Sequence, residues 1–599
     1  MKIVYILLLF LLPCFVFGQG NDSQLAYTYY QNKEYDKAAD LFLKLYERTR
    51  SSDFLDYHII CLINGKEYDQ AEEVLKKFLK ADDSNKDFLV NLGYIYEQQG
   101  KIKKSEEYYD KAIKKLIPQS GDINNLAYKF RNIRAYGWAI QTYQRGKELL
   151  KQPDAFMSEL GDNYMMERDY ESMIALFIRA LELKPMEINN ITSKLSFARS
   201  YDIVNSVDVV IEKNLNAVLK KADYAPVFDE LGVWYYLQTK NYPKALEHAT
   251  LLNQKATDKL YIFLNIAQSA AEGEEYDIAA NAYGKIIEKG KEKNPYYVSA
   301  RKELLNCRYE KCRKQACEVI QYKRIAEDCA TYMQEYGYTP ENVDVVVLLS
   351  DLYAYQLQQP DSANRVLERG ASIRRINSMA LSMLKSKRAD LLTYMDNPWE
   401  ATILYTQVEK ENPNNDIGYE AKLKKAWLAY YAGDLLWARA QFDVLKGATT
   451  KMIANDAIKM SHFIDMNYEE GEDNSTLEKM AQTEYLIYKK QDQAALLMLD
   501  SLIGNSSTDI ADYATLEKAE LFSRSFRYTE AAELFTRLKN ESEQSYIRAE
   551  AIFELAGLKV KTKDVPGAQE LYKMLVSDYS GSVYSIEAGR LYREIAKSL

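Results

Sequence analysis

Apolar residues return along this chain at intervals of three and four positions, with charged residues between them. In "LGDNYMMERDYESMIALFIRALELKP", residues 160–185, the residues Leu160, Tyr164, Met173 and Phe177 follow this spacing on either side of a short polar stretch. Such a period places apolar side chains on one face of an α-helix. Because the pattern continues with only 12 prolines in 599 residues, it predicts an all-α protein.

The same skeleton returns at a nearly fixed distance along the first part of the chain. A small-residue position of the second helix falls at Ala38, Ala71, Ser105, Ala139 and Met173, which are 33, 34, 34 and 34 residues apart. A leucine followed by a small residue precedes it at Leu92-Gly93, Leu126-Ala127 and Leu160-Gly161. A fixed period of this size indicates stacked helical hairpins rather than independent domains.

Gly161 explains why the small residues recur. A glycine inside a helix costs roughly 1 kcal/mol relative to alanine, so it is kept only where packing returns more than that. We interpret these positions as the points where the two helices of a hairpin approach closely. The predicted structural positions are Ala38, Ala71, Gly93, Ala127, Ala139, Gly161, Gly232, Ala245 and Ala279.

This arrangement resembles the tetratricopeptide repeat family, whose pattern is W/L-x2-L-G-x2-Y, then A-x3-F-x2-A, then P. The match is good over residues 19–185, returns at 231–249 and 264–287, and is weaker at 399–413, 424–445, 526–538 and 565–579. The resemblance implies a solenoid of helical hairpins with a right-handed superhelix. It also implies a binding scaffold for proteins, without catalysis.

The spacing divides the chain into five segments. We predict a signal peptide at 1–18, repeat units 1–5 at 19–185, and a degenerate unit followed by further units at 186–300. An irregular helical joint follows at 301–340, and a degenerate array at 341–599. The joint would separate two superhelical segments. The stretch "LYKMLVSDYSGSVYSIEAGRLYREI", residues 571–595, resembles the closing units of bacterial envelope repeat proteins, among them outer-membrane assembly lipoproteins and cell-division coordinators.

The N-terminus predicts export. Lys2 precedes an apolar run from Ile3 to Phe17, which is shorter than the ~18 residues of a membrane span and suits a secretory signal peptide cleaved after Gly18. A lipoprotein signal ending at Cys14 is disfavoured, since Leu12 and Pro13 stand where small residues are needed. We therefore expect a periplasmic protein of a Gram-negative bacterium, starting near Gln19, with no transmembrane segment in the mature chain.

The net charge of the chain argues against nucleic acid as a partner. The formal net charge is −9, and removal of Lys2 makes it −10, with basic and acidic residues interspersed. An acidic chain of this kind is not expected to bind nucleic acid. Protein or peptide segments of envelope machinery are the expected partners, and the oligomeric state is left open.

The resemblance also implies where a partner would bind. In the family the first helix of each unit lines the concave face, and two of its turns point into the groove. Tyrosine supplies contact area at a low entropic cost, and methionine adapts to irregular partners. The matching positions, which are the partner-groove candidates, are Tyr27, Tyr30, Asn64, Tyr94, Glu97, Tyr128, Arg131, Asp162, Met165 and Met166. A carboxylate clamp is not expected, because only Asn64 and Arg131 would serve one.

Four cysteines, Cys307, Cys312, Cys317 and Cys329, lie close together in the sequence. Their spacing fits neither a CxxC redox motif nor a zinc knuckle, so no metal site is expected. Five positions along one straight helix turn a side chain by about 500°, so Cys307 and Cys312 cannot bridge there. Buried packing of small residues and a disulfide from one helix to the next, involving Cys329, both stay open.

No sequence motif in the chain indicates a catalytic site. Three histidines occur in the chain, none in an HExxH motif or beside a nucleophile elbow, and no cofactor motif is present. The sequence thus predicts an exported scaffold without a catalytic residue. The alternative is a structural subunit packing laterally in a large envelope complex, for which an apolar patch outside the groove would be the sign. A more remote alternative is an enzyme with a catalytic module hidden around residues 300–400.

Overall fold

The computed structural model describes residues 18–255, 259–315, 317–447 and 451–598. Within these ranges the chain forms 32 α-helices and no strand, so the all-α array of helical hairpins is confirmed. Residues 1–17 of the predicted signal peptide, Cys14 among them, lie outside the described residues, which begin at Gly18. None of the described helices combines the length and the apolar character that a membrane span requires.

The chain divides into two compact units, of which the first ends at residue 258 and the second begins at Lys259. The first unit contains seven hairpins. Their helices are α1 (Gly18–Gln31), α2 (Tyr35–Thr49), α3 (Ser52–Asn64), α4 (Tyr68–Ala81), α5 (Lys86–Gln98), α6 (Ile102–Lys114), α7 (Ser120–Asn132), α8 (Tyr136–Leu150), α9 (Met157–Met166), α10 (Tyr170–Leu183), α11 (Ile188–Tyr201), α12 (Ser206–Leu219), α13 (Val227–Gln238) and α14 (Tyr242–Lys255).

The second unit continues the hairpins with two exceptions, the single helices α25 and α32. Its helices are α15 (Leu260–Glu272), α16 (Tyr276–Ile287), α17 (Tyr297–Lys314), α18 (Val319–Tyr336), α19 (Val343–Asp351), α20 (Pro360–Ala371), α21 (Ser378–Tyr394), α22 (Pro398–Glu411), α23 (Asp416–Tyr431), α24 (Leu435–Leu445), α25 (Lys451–Asn467), α26 (Ser475–Tyr488), α27 (Asp492–Asn505), α28 (Thr508–Arg524), α29 (Tyr528–Glu541), α30 (Ser545–Lys561), α31 (Val565–Asp578) and α32 (Tyr584–Ser598).

The division between the units differs in place from the joint expected at residues 301–340. That segment is regular: α17 and α18 are each 18 residues long and pack against each other. Their apolar faces are buried, and they continue the stack of the second unit. The repeat consensus is lost there while the helical hairpin is kept, because hairpin packing needs an apolar face rather than one particular set of anchor residues.

The small residues lie where helices meet. Ala38, Ala71, Ala127, Ala139, Ala245 and Ala279 are each fully buried, and Gly93, Gly161 and Gly232 are buried too. A Cβ atom added to Gly93 would come within 2.3 Å of the Tyr109 ring, and one added to Gly232 within 2.9 Å of the His248 ring. Each glycine therefore makes room for an aromatic ring of the second helix, 16 residues later (109 − 93 and 248 − 232).

Helix α25 departs from the hairpin pattern, because its side chains reach the first helices of later hairpins. The Phe463 ring stacks on Tyr513 of α28 with 4.2 Å between ring centroids, and Lys459 Nζ lies 2.9 Å from Glu550 Oε2 of α30. His462 meets Tyr546 of α30 edge to face at 5.7 Å. Helix α25 therefore packs over the first helices of two later hairpins, α28 and α30.

Candidate functional site

The first helices of the first unit present two rows of groove candidates. Tyr94, Tyr128 and Asp162 are 34 residues apart (128 − 94, 162 − 128), and so are Glu97, Arg131 and Met165 (131 − 97, 165 − 131). They lie on α5, α7 and α9, which are first helices of successive hairpins. Because each hairpin repeats the last, equivalent side chains come to equivalent places on the surface.

Tyr128 and Met166 are the most exposed apolar members of this set. The Tyr128 side chain is 64% exposed and that of Met166 is 45% exposed. Asn64 and Glu97 are exposed as well, whereas Tyr94, Arg131, Asp162 and Met165 are half-buried. The face thus offers an apolar contact area with polar groups around it, the composition that protein-binding surfaces favour.

Tyr27 and Tyr30 belong to an aromatic cluster at the first two hairpins. Both rings meet Tyr57 of α3 edge to face, with centroid distances of 5.0 Å and 5.5 Å, and Tyr27 also meets Phe42 of α2 at 5.2 Å. Both are half-buried, and burial raises the pKa of each hydroxyl. These two candidates are held by packing and leave only part of each ring for a partner.

Two of the charged candidates are already engaged. Glu97 accepts a hydrogen bond of 2.8 Å from the Tyr109 hydroxyl. Asp162 Oδ1 lies 2.5 Å from the ammonium of Lys194 on α11, which also donates to the Ser158 hydroxyl. These contacts tie neighbouring helices together, so Glu97 and Asp162 shape the face more than they offer charge to a ligand.

Carboxylates outnumber ammonium groups where α3, α5 and α7 meet. Lys86 pairs with Asp122 at 2.8 Å, and Lys129 approaches Asp87 at 3.8 Å. Burial raises the pKa of the nearby Asp56, an effect that Lys129 opposes and that Asp87 and Asp53 reinforce. The charge that is left over on this part of the face is therefore negative.

A buried polar cluster in the last hairpin of the first unit was not anticipated. Asp229 of α13 is 0% exposed, and three groups converge on its carboxylate. The Tyr224 hydroxyl donates at 3.0 Å, Lys255 Nζ lies at 3.0 Å, and His248 Nδ1 lies at 3.1 Å. Burial opposes ionisation of Asp229, but these hydrogen bonds prevail and lower its pKa.

The sequence contains a signal that predicts this buried polar cluster. His248 follows Gly232 by the same 16 residues that separate the other buried glycines from their aromatic partners, which marks it as the ring that fills the hairpin. A polar ring in that place needs a buried partner, and Asp229 supplies it. The arrangement therefore ties the hairpin together through buried hydrogen bonds.

The cysteine cluster resolves into one bridge and two thiols. Cys312 and Cys317 form a disulfide, with their Cα atoms 5.2 Å apart. Cys307 and Cys329 are free and buried, so for these two cysteines the alternative of buried packing applies, and the bridge does not involve Cys329. The physical reason is that α17 ends at Lys314, which lets the chain turn back and bring Cys317 to Cys312. Within the described ranges, no group of three or more His, Cys, Asp and Glu side chains could hold a metal ion.

The three histidines each have a structural contact. His58 is buried, with Nδ1 2.9 Å from the Ala39 carbonyl, and burial lowers its pKa. His248 faces Asp229, and His462 packs on Tyr546. These contacts account for each ring by packing or by hydrogen bonding within the fold.

Comparisons with known proteins agree with the repeat pattern. The tetratricopeptide repeat family model matches residues 64–120. None of the curated proteins matches the sequence. Among solved structures, the Naa15/Naa10 complex bound to HypK-THB is 12% identical over 97% of this chain and 96% of that one, with a TM-score of 0.24.

Two other solved structures are similar over long stretches. A tetratricopeptide repeat protein from Parabacteroides merdae is 10% identical over 50% of this chain and 98% of its own, with a TM-score of 0.27. Yeast Tom70 is 13% identical over 91% of this chain and 96% of its own, also with a TM-score of 0.27.

Proposed function

We propose, from the premise that this chain carries tetratricopeptide repeats, that it is a scaffold that binds a segment of another protein along the first-helix face of its first unit. The observation that carries the proposal is the exposure of Tyr128, which belongs to one of the two rows that successive hairpins present, and of Met166, which follows Met165 of the other row. An aromatic ring and a flexible thioether, on a face where Glu97 and Asp162 are already paired, form an anchor for an extended or helical segment. No covalent step is involved.

We place this scaffold in the cell envelope. The charged and apolar pattern of residues 1–18 and the resemblance of residues 571–595 to envelope repeat proteins support export to the periplasm. The partners would then be protein segments of envelope machinery, acting in its assembly, secretion or maintenance. Fractionation of the native cells and N-terminal sequencing of the mature protein test this: a cytoplasmic protein that retains Met1 would contradict it.

Site-specific crosslinking tests the binding face. A photoreactive phenylalanine analogue at position 128 is expected to capture a discrete partner in native cells, which mass spectrometry identifies. The matched control places the same analogue at Gln141, which is exposed on α8, the second helix of the same hairpin. The purified partner should bind about tenfold more weakly to Tyr128→Ala and equally well to Gln141→Ala. Equal losses in both variants, or in neither, would reject this face.

A second candidate function rests on an apolar patch outside the groove candidates. Ile203 is 95% exposed and Val204 79% exposed in the turn between α11 and α12, beside the exposed Phe197, Tyr201 and Val209. Such a patch is typical of a surface covered in an assembly, as in a subunit that packs laterally in a large complex. The double change Ile203→Ser with Val204→Ser should then lower the native mass of the complex on a non-denaturing gel, and an unchanged mass would remove this candidate.

A further inference from the structure

Two cavities flank helix α25 in the second unit. One, of about 540 Å³, lies between α22, α23, α25 and α26, and its walls include the rings of Tyr405, Trp427, Tyr431 and Tyr488. The other, of about 640 Å³, lies between α25, α30 and the turn before α32, with walls that include Tyr546 and Tyr584. The two cavities thus lie beside α25, where a ligand could reach helices that α25 packs against.

Asp456 of α25 borders both cavities. Its residue surface is exposed. Partial burial of the carboxyl group raises its pKa, an effect that Lys459 opposes and Glu550 reinforces. The ammonium group of Lys459, one turn further on, is directed to Glu550. One ammonium group thus serves both Glu550 and Asp456, and the two carboxylates outnumber it.

The charges around the cavities are predominantly negative. Among the side chains that the structure describes, the first cavity is lined by Asp416, Glu420 and Asp456 and by one basic group, Lys424, a balance of −2 (1 − 3). Lys424 is held by its own partners, with Nζ 2.9 Å from both Asp390 Oδ1 and Glu420 Oε1.

The second cavity has the same balance. It is lined by Asp456, Glu550 and Asp578 against Lys459, again −2 (1 − 3), with His462 counted as neutral. In both cavities the lysine already pairs with a carboxylate of the protein, so neither ammonium group is available to an anionic ligand.

The surroundings of α25 contain still more carboxylates. Burial raises the pKa of Glu484 to about 7 and that of Glu517 to about 7, and the proximity of Glu484 raises the latter further. Burial, with the neighbouring Glu517, raises the pKa of Glu520 to about 8. Burial is the main cause of each rise and repulsion between neighbouring carboxylates adds to it, so this region holds several acidic groups close together.

We propose that the surface beside Asp456 binds a cationic peptide segment of a partner protein, with a lysine or arginine side chain at Asp456 and an apolar neighbour in the cavity walled by Trp427. Aromatic faces attract cations, and a carboxylate beside them adds a charge-assisted hydrogen bond. An acidic segment would meet like charge in both cavities. This site belongs to the second unit and does not depend on the groove of the first.

Two labelled peptides that differ only in the sign of their charge test the proposal. Fluorescein-GAWAKAKAWAG and fluorescein-GAWAEAEAWAG are titrated with the full-length mature protein, and binding is followed by fluorescence polarisation. The basic peptide should bind at least about tenfold more tightly than the acidic one, and added salt should weaken it. Equal affinities for the two peptides would overturn the proposal.

Variants locate the binding. Asp456→Asn should lower the affinity for the basic peptide by about tenfold, and Asp456→Lys should abolish binding of that peptide. Since Asp456 is exposed, both variants should keep the circular dichroism spectrum and melting temperature of the parent. The matched control is Glu478→Gln, an exposed carboxylate of α26 that lines neither cavity, and it should leave the affinity unchanged. Equal affinities of parent and Asp456→Asn would place the peptide elsewhere.

A metal ion is the competing occupant of a carboxylate-rich site. The melting temperature is therefore measured with and without calcium chloride for the parent and Asp456→Asn. No Asp456-dependent shift is expected. A shift in the parent that Asp456→Asn removes, together with no discrimination between the peptides, would assign the site to a divalent cation and reject the peptide.

Discussion

The ring of Phe177 occupies the space where a side chain at Gly161 would begin. A Cβ atom added to Gly161 would lie 2.3 Å from Cε1 of that ring, which no real side chain tolerates. Gly161→Ala should therefore displace Phe177 from its place between α9 and α10 and destabilise the first unit by roughly 1–3 kcal/mol. Urea denaturation followed by circular dichroism measures the change.

The same substitution at Gly284 is the control for helix propensity. Gly284 lies inside α16 with nothing within 4 Å of an added Cβ atom. Gly284→Ala should stabilise by roughly 0.5–1 kcal/mol, since alanine favours the helix and meets no neighbour. Equal effects of the two substitutions would contradict the packing role of Gly161.

The buried carboxylates of the second unit predict that stability falls as pH rises. Glu484, whose pKa burial raises to about 7, keeps its proton in the folded state, whereas a glutamate in the unfolded chain releases it near pH ~4.3. Between these values the folded state binds more protons than the unfolded state, so the free energy of unfolding decreases with increasing pH. Above about pH 7 its contribution is constant.

Glu484→Gln should flatten this decline and raise stability at pH 8 by roughly 1–3 kcal/mol. The amide oxygen can still accept the hydrogen bond that the Tyr513 hydroxyl donates to Glu484 at 2.8 Å. Denaturation at pH 5, 6, 7 and 8 is the measurement. Glu478→Gln, on the exposed side of the same helix, should follow the parent at every pH, and a Glu484→Gln profile parallel to the parent would refute the assignment.

Asp229 predicts the opposite dependence in the first unit. Its pKa is lowered, so the stability it contributes is present above the unfolded pKa, near ~3.9, and is lost as pH falls through the folded pKa. Asp229→Asn should cost roughly 1.5–3 kcal/mol at pH 7, because it weakens hydrogen bonds from Tyr224, Lys255 and His248. The loss relative to the parent should shrink in acid.

Denaturation curves at pH 3 and pH 7 distinguish this role from a general loss of packing. The control is Asp223→Asn, an exposed residue in the turn before α13, which should behave like the parent at both values. If Asp229→Asn were as stable as the parent at pH 7, the negative charge of Asp229 would not strengthen the three hydrogen bonds that it accepts.

The disulfide predicts a count of thiols. The described cysteines are Cys61, Cys307 and Cys329 as free thiols and Cys312 and Cys317 in the bridge, so the denatured mature protein should react at three thiols without reductant and at five after reduction. The double variant Cys312→Ser with Cys317→Ser should lose about 2 kcal/mol of stability, as the closed loop is short. Reductant should lower the melting temperature of the parent and leave that of the double variant unchanged. Five reactive thiols without reductant would disprove the bridge.

The fold could be predicted because its determinants are local and repeated. Gly93, Ala127 and Gly161 mark the close approach of two helices, and their spacing of 34 residues predicts the hairpin array from the sequence alone. The hairpins around residues 301–340 were harder to predict, since apolar faces suffice there and the anchor residues are gone. Helix ends decide other details, such as the bridge to Cys317, and end positions are weakly encoded.

The sites were less predictable, for a different reason. Whether Tyr27 is held by Tyr57 or left to a partner depends on side-chain packing between hairpins, which periodicity does not specify. The contact between Lys459 and Glu550 joins residues 91 positions apart, and no sequence pattern predicts it. Long-range pairs of this kind determine which surfaces stay open, and with them where a ligand can bind.

Helix α25 is tethered to the surface that it covers. It follows α24 after residues 446–450 and reaches α28 and α30 through Phe463, Met460 and Lys459. A segment joined by so short a connection is present at an effective concentration on the order of millimolar or more. A free helix that binds the same surface would have to outcompete it, so the surface of α28 and α30 beneath α25 is occupied by the protein's own chain.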